Sequence, residues 1–293
     1  MSTIRAFATR HPVRAYFALT FAVSWGGALL AIGGSRGMLG TTPTSDPRFA
    51  DALVAMLAGP SVTGILLTLI VSGRTGLRAF LARAFRWRVA ARWYAVAILT
   101  APILMTATLL AMSAISPAFV PGIVLSDHKA SLVAVSLAVG LSAGVFEELG
   151  WTGFAIPAVR RRHGVVATGL IVGVWWNAWH LLPNVWASRA ASGDLAVSVF
   201  LAAIALGVFV GYLTAFRVVM AWVYDRTESL FVAMLMHASI TASLLILNPL
   251  GISGVHLLAY SFALAAAVWL AIVIVALVRG GRLRSQRLRT RLA

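Results

Sequence analysis

Eight long apolar runs divide this chain, and no other feature limits its fold as strongly. They span Arg14–Gly34, Ala50–Val71, Trp93–Ile115, Ser131–Pro157, Gly164–Leu182, Leu195–Tyr224, Ser229–Leu247 and His256–Val278. About 20 apolar residues suffice to cross the hydrocarbon core as a helix. Lipid offers backbone polar groups no partner outside the helix itself. The expected fold class is therefore all-α, a polytopic membrane protein of about eight transmembrane helices. Composition agrees, since 60% of the 293 residues are hydrophobic and only 11% are charged, which excludes an ordinary soluble domain. The first run is too long for a typical signal peptide and has no clear small-residue cleavage site, so it reads as a helix.

Charge is distributed as unevenly as hydropathy. Lysine and arginine number 24 against 8 acidic residues, a formal net charge of +16. In a soluble chain that balance would suggest nucleic acid. Here the arginines lie between the apolar runs, the positive-inside pattern, so the expected partners are membrane lipids and no nucleic acid. Arg74, Arg78, Arg83, Arg86, Arg88 and Arg92 interleave with Leu77, Phe80, Leu81, Phe85 and Trp87, which suits an amphipathic helix in the interface. Arg160, Arg161, Arg162 and His163 form a second basic loop; Arg279, Arg282, Arg284, Arg287, Arg289 and Arg291 form a basic tail. Eight crossings put these clusters and both termini on one side, expected to be the cytoplasmic side of the cell membrane. A single transmembrane domain over residues 1–293 follows. Cysteine is absent, which excludes disulfides, thiol catalysis and cysteine-based metal sites. Arg217 makes the sixth run ambiguous: one long tilted helix, or a span ending near Phe216 followed by a short cytoplasmic helix. Gly-x-x-x-Gly spacings at Gly140/Gly144, Gly169/Gly173 and Gly207/Gly211 mark spans four, five and six for close helix packing.

The fourth run carries Glu147 and Glu148 side by side with no adjacent cation. Each ionisable group at membrane depth costs roughly 2.5–3.5 kcal/mol on the lenient insertion scale, so a pair suggests a use. His180 and His237 lie in later apolar runs. Spans four and five form a hairpin, and Glu147 and His180 are each about 16 positions from its turn, roughly 24 Å at 1.5 Å per residue. They are expected to face each other at equal depth. His237, roughly 15 Å beyond its own loop, reaches them with some tilt. Adjacent glutamates point about 100° apart on a helix, so Glu147 and Glu148 do different jobs. Trp176 and His180 share a face, as do His237 and Thr241.

A buried carboxylate beside a histidine can deprotonate water, and a second histidine with a hydroxyl can stabilise an oxyanion. Alternatively Glu147, His180 and His237 could ligate a catalytic zinc with water in the fourth position. No His-Glu-x-x-His occurs, so the usual zinc-protease signal is missing.

Three stretches resemble the motifs of the CAAX prenyl protease 2-like family, which includes bacterial homologues linked to bacteriocin immunity and maturation. They are Glu147-Glu148-Leu149-Gly150-Trp151-Thr152-Gly153-Phe154, Trp176-Asn177-Ala178-Trp179-His180 and His237-Ala238-Ser239-Ile240-Thr241. The resemblance covers roughly residues 131–245. It implies an eight-helix intramembrane endopeptidase acting on a membrane-bound protein or peptide. Glu147 and His180 would activate water, and His237 and Thr241 would support the oxyanion; Glu148 completes the acidic pair, with Trp151, Thr152, Trp176 and Arg217 around them. Thr152 stands where the family has arginine, Trp176 where it usually has phenylalanine, and Thr241 where it usually has asparagine. Glu148 thereby loses its expected cation. Arg217, the nearest basic residue at comparable depth on another helix, is the expected replacement. A non-catalytic immunity or scaffold protein of the same fold is the alternative. A proton-coupled transporter is a further one, although the sequence shows neither inverted repeats nor paired broken helices.

Overall fold

The computed structural model describes residues 3–43 and 45–278. Within them the chain is an all-α polytopic membrane protein. After a short α1 (Thr3–Arg10), α2 (Pro12–Ile32) makes the first crossing, and α3 (Gly34–Gly40) follows it. Then come α4 (Phe49–Ala84), α5 (Ala91–Ser113) and a short α6 (Gly122–Leu125). The strand of motifs begins in α7 (Lys129–Gly150), which runs through a π turn at Trp151–Ala155 into α8 (Ile156–Arg160). The rest is α9 (Val165–Trp179), α10 (Leu181–Ala191), α11 (Val197–Val210), α12 (Tyr212–Thr227), α13 (Leu230–Leu247) and α14 (Gly254–Val278). Seven described helices or joined helices can cross a membrane, and α9 with α10 makes an eighth if that bent pair is one span. The basic tail from Arg279 to Arg291 lies outside the described residues.

Local chemistry sets the ends. Pro12 opens α2, where its missing N–H costs nothing, and Gly33 closes it in the left-handed region at φ 84°. Ser229 accepts from Val232 N–H at 3.1 Å and so caps α13. The arginine-rich segment is helical from the kink at Gly73, at φ 60° and ψ −156°, as far as Ala84, and this break sets it off from the second crossing; Arg86 and Arg88 lie beyond its end.

Two spans are broken where the sequence suggested continuity. The fifth bends by 52° at His180. The sixth is interrupted at Gly211, which is extended at ψ 169°, yet Val197–Thr227 still makes one long span, the first of its two expected forms. Among the described helices the one strongly bent pair is therefore α9 with α10. Side-chain donors reach several carbonyls beside these breaks, partners that a membrane interior does not supply. Asn177 donates to Gly207 at 2.8 Å, Thr214 to Val208 at 2.7 Å and Trp269 to Val210 at 2.8 Å. At the fifth span, Trp25 donates to the Trp179 carbonyl at 3.0 Å.

Small residues set the helix pairs around the glutamates. A Cβ at Gly140 or Gly144 would meet the α13 backbone at Ala238 or Met234. One at Gly169 or Gly173 would meet α12 at Val218 or Thr214. The third spacing is tight at one residue only: a Cβ at Gly207 would enter open space, whereas one at Gly211 would meet the Gly207 carbonyl and Asn177. Thus α7 is clamped to α13 and α9 to α12, and the motif residues of all four helices converge.

Candidate active site

Glu148 and Glu147 leave α7 on different sides and enter different surroundings. Glu148 is fully buried. Arg217 Nη1 donates to both its oxygens, at 2.9 and 2.8 Å, and Thr152 Oγ1 donates to Oε2. His237 Nδ1 lies 2.6 Å from Glu148 Oε1. A carboxylate can only accept here, so Nδ1 carries the proton and the imidazole turns Nε2 away from Glu148. That Nε2 is 3.7 Å from Glu147 Oε1. Glu147 Oε2 in turn accepts from Trp176 Nε1 at 2.8 Å.

Trp176 is the common wall. The Arg217 guanidinium lies over its ring at 3.9 Å, a cation–π contact in a dry setting. Both imidazoles meet it edge to face, His237 at 5.2 Å and His180 at 5.6 Å between centroids. Arg217 itself is 0% exposed. The ring face and Glu148 therefore take the place of water around its charge.

His180 occupies the bend between α9 and α10. Its Nδ1 donates to the Trp176 carbonyl at 2.8 Å, which leaves Nε2 as its free basic atom. It makes no hydrogen bond to Glu147, although the two groups lie close enough to interact electrostatically. The closer partner of Glu147 is His237.

Thr241, one turn beyond His237 on α13, is half-buried and hydrogen-bonds none of these groups. Trp151 is fully buried and meets Tyr16 edge to face at 5.5 Å. Tyr16 itself was not legible from the sequence. Its hydroxyl lies directly against Gly150, where a Cβ would collide with it, and no motif marks it in α2. Arg83 is a second omission: it donates to the Gly153 carbonyl at 3.1 Å in the π turn. It is hidden in sequence among the other arginines of its cluster.

The donor types of Glu147, His180 and His237 suit zinc. Their arrangement does not: among the described residues no three His, Asp or Glu side chains converge to hold a metal ion.

Comparison with known proteins falls on this same region. Residues 129–243 match the family described as Type II CAAX prenyl endopeptidase Rce1-like. Over 40 residues, 14% of this chain, it is 38% identical to CAAX prenyl protease 2 of Methanococcus maripaludis. That alignment spans 15% of the length of the curated relative. The stretch that brings Glu147, Glu148, His180 and His237 together is thus the one that carries the Rce1-like CAAX prenyl endopeptidase family match, over residues 129–243.

Proposed function

We propose that the protein is an intramembrane endopeptidase that hydrolyses a peptide bond of a membrane-associated or lipidated protein or peptide. The observation that carries this reading is the 3.7 Å gap between Glu147 Oε1 and His237 Nε2, with His237 held from behind by Glu148 at 2.6 Å. Two acceptors at that spacing suit one shared water. Glu147 takes its proton as the oxygen attacks the scissile carbonyl. The proton that Glu147 has taken from water passes through Nε2 of His180, at the half-exposed edge of the site, to the amine nitrogen as the C–N bond breaks, which restores the Glu147 carboxylate. Thr241 offers the hydroxyl for the oxyanion. Glu148, Arg217 and Thr152 keep His237 in the required tautomer.

The segment 131–245 is the catalytic core of one transmembrane domain over 1–293. The chain sits in the cell membrane with both termini cytoplasmic. The Thr152 and Thr241 departures favour the alternative, a non-catalytic immunity or scaffold protein of the same fold; the Arg217–Glu148 pair at 2.8 Å weakens the first of these two arguments and leaves the second. No step here runs through a metal. The test is comparison of protein termini in membranes from cells carrying wild type or Glu147→Gln. Termini that appear only with the wild type support the reading; identical termini overturn it.

A further inference from the structure

Helices α5, α9, α12 and α14 leave between them a groove of about 660 Å³, lined by residues of the membrane-spanning segments. Its walls are hydrocarbon and indole, including Leu99, Ile103, Val166, Trp222, Val268 and Ile272. Thr100 also lines it, but its hydroxyl is taken by the Val96 carbonyl at 2.6 Å. A peptide backbone needs partners that such walls lack. A hydrocarbon chain needs none, and the volume falls within the range of small-ligand sites.

The arginine-rich end of the groove has the opposite character. Arg92 is one helical turn before Val96, a lining residue, and shares its face. Arg161 and Arg162 immediately precede the first turn of α9, whose Val165 and Val166 line the groove. All three arginines are exposed. The carboxylates at this end are already matched: Asp225 pairs with Arg160 at 2.7 Å and Glu228 with Arg86 at 3.2 Å. Among the described residues no carboxylate lies in ion-pair range of Arg92, Arg161 or Arg162. Both α5 and α9 also begin without a side-chain cap, so their first N–H groups face the same end.

We propose that this groove binds one anionic glycerophospholipid of the surrounding leaflet, with an acyl chain between the four helices and the phosphate at Arg92, Arg161 and Arg162. The occupant would pack against Val218 and Trp222 on α12, the helix that holds Arg217. The site thus braces the active-site scaffold without touching the reacting groups, and it does not depend on the protease reading.

The test is native mass spectrometry of the purified full chain in detergent, titrated with phosphatidylglycerol or phosphatidylcholine of the same acyl composition. The expected result is about 10-fold tighter retention of phosphatidylglycerol. The Arg92→Gln/Arg161→Gln/Arg162→Gln variant should lose that preference, and Ala271→Trp, which fills the groove, should weaken both lipids. Equal retention of the two lipids by the wild type overturns the proposal, as does an unchanged preference in the triple variant. A dimer peak lost in Ala271→Trp would make the groove an interface between copies, which also overturns it. A phosphatidylglycerol with a photoreactive acyl chain covers the case in which Ala271→Trp does not fold. Crosslinks on α5, α9, α12 or α14 support the site, and crosslinks elsewhere overturn it.

Discussion

Three side chains donate to the Glu148 carboxylate: Arg217, Thr152 and His237. Removing the cation strands a charge in a dry interior, and removing the carboxylate strands Arg217, so either loss should cost roughly 3–5 kcal/mol. Glu148→Gln and Arg217→Gln should therefore each lower the thermal transition in detergent, and the double variant should lose much less than the sum of the two. Additive losses would show that the pair is not a unit. Thr152 adds a sharper check, because it occupies the position where related motifs carry arginine. Arg217→Met should be partly rescued by Thr152→Arg, which supplies a cation from the same helix turn. Glu147 differs from its neighbour in having one hydrogen-bond donor, Trp176 Nε1. A glutamine oxygen can still accept that bond, so Glu147→Gln should keep wild-type stability while losing at least about 10²-fold in turnover. A large fall in stability with activity retained would reverse the roles of the two glutamates.

Helix packing makes its own contrast. Gly144→Ala places a methyl into the Met234 carbonyl of α13, whereas Gly207→Ala places one into open space. The first should destabilise the protein and the second should be neutral, or stabilising by up to about 1 kcal/mol through helix propensity. Thermal melts of the two variants side by side decide this. The turn before α4 has an acid-sensitive element. Arg48 donates through Nε and Nη2 to Asp46, both at 3.0 Å, and these bonds hold the Asp46 carboxyl down at about 2. With the folded value below the ordinary one of 3.8, the contribution is complete above that ordinary value and disappears as pH falls through about 2. Hydrogen exchange in this turn should rise over that window in the wild type and be high throughout in Asp46→Asn. At this scale the sequence was legible wherever length and hydropathy decide the matter. Run length located the start of every span to within a few residues, while the second helix runs on to Ala84 and the bent fifth pair to Ala191. The bends were illegible because they depend on distant donors: Trp25 serves the end of α9, and Asn177, Thr214 and Trp269 serve the end of α11. Depth counted along straight helices paired Glu147 with His180, and could not show that His237 Nε2 would come within 3.7 Å of the same carboxylate.

Across the whole molecule, the basic loops before α5 and before α9 lie at the same end, tied by Arg86–Glu228 and Arg160–Asp225 to the end of α12. The chain has no cysteine, so introduced thiols report topology directly. Arg88→Cys and Arg162→Cys should react with an impermeant reagent from one side of the membrane, and Asp127→Cys and Asp194→Cys from the other. Labelling of Arg88→Cys and Arg162→Cys from opposite faces would refute the arrangement. The site was legible as a set of residues because charge inside apolar runs is rare, and Arg217 stood out on that ground alone. Its geometry was not, because it depends on how α7, α9, α12 and α13 close on one another. The ion pair that joins α7 to α12 also constrains ancestry. A lineage that shed arginine at position 152 before gaining one at 217 would have passed through an unpaired buried carboxylate. If an arginine at 152 preceded Arg217, the cation on α12 would have to be in place before threonine could replace it. Relatives aligned at these two positions should accordingly carry a cation at one or both wherever Glu148 is kept.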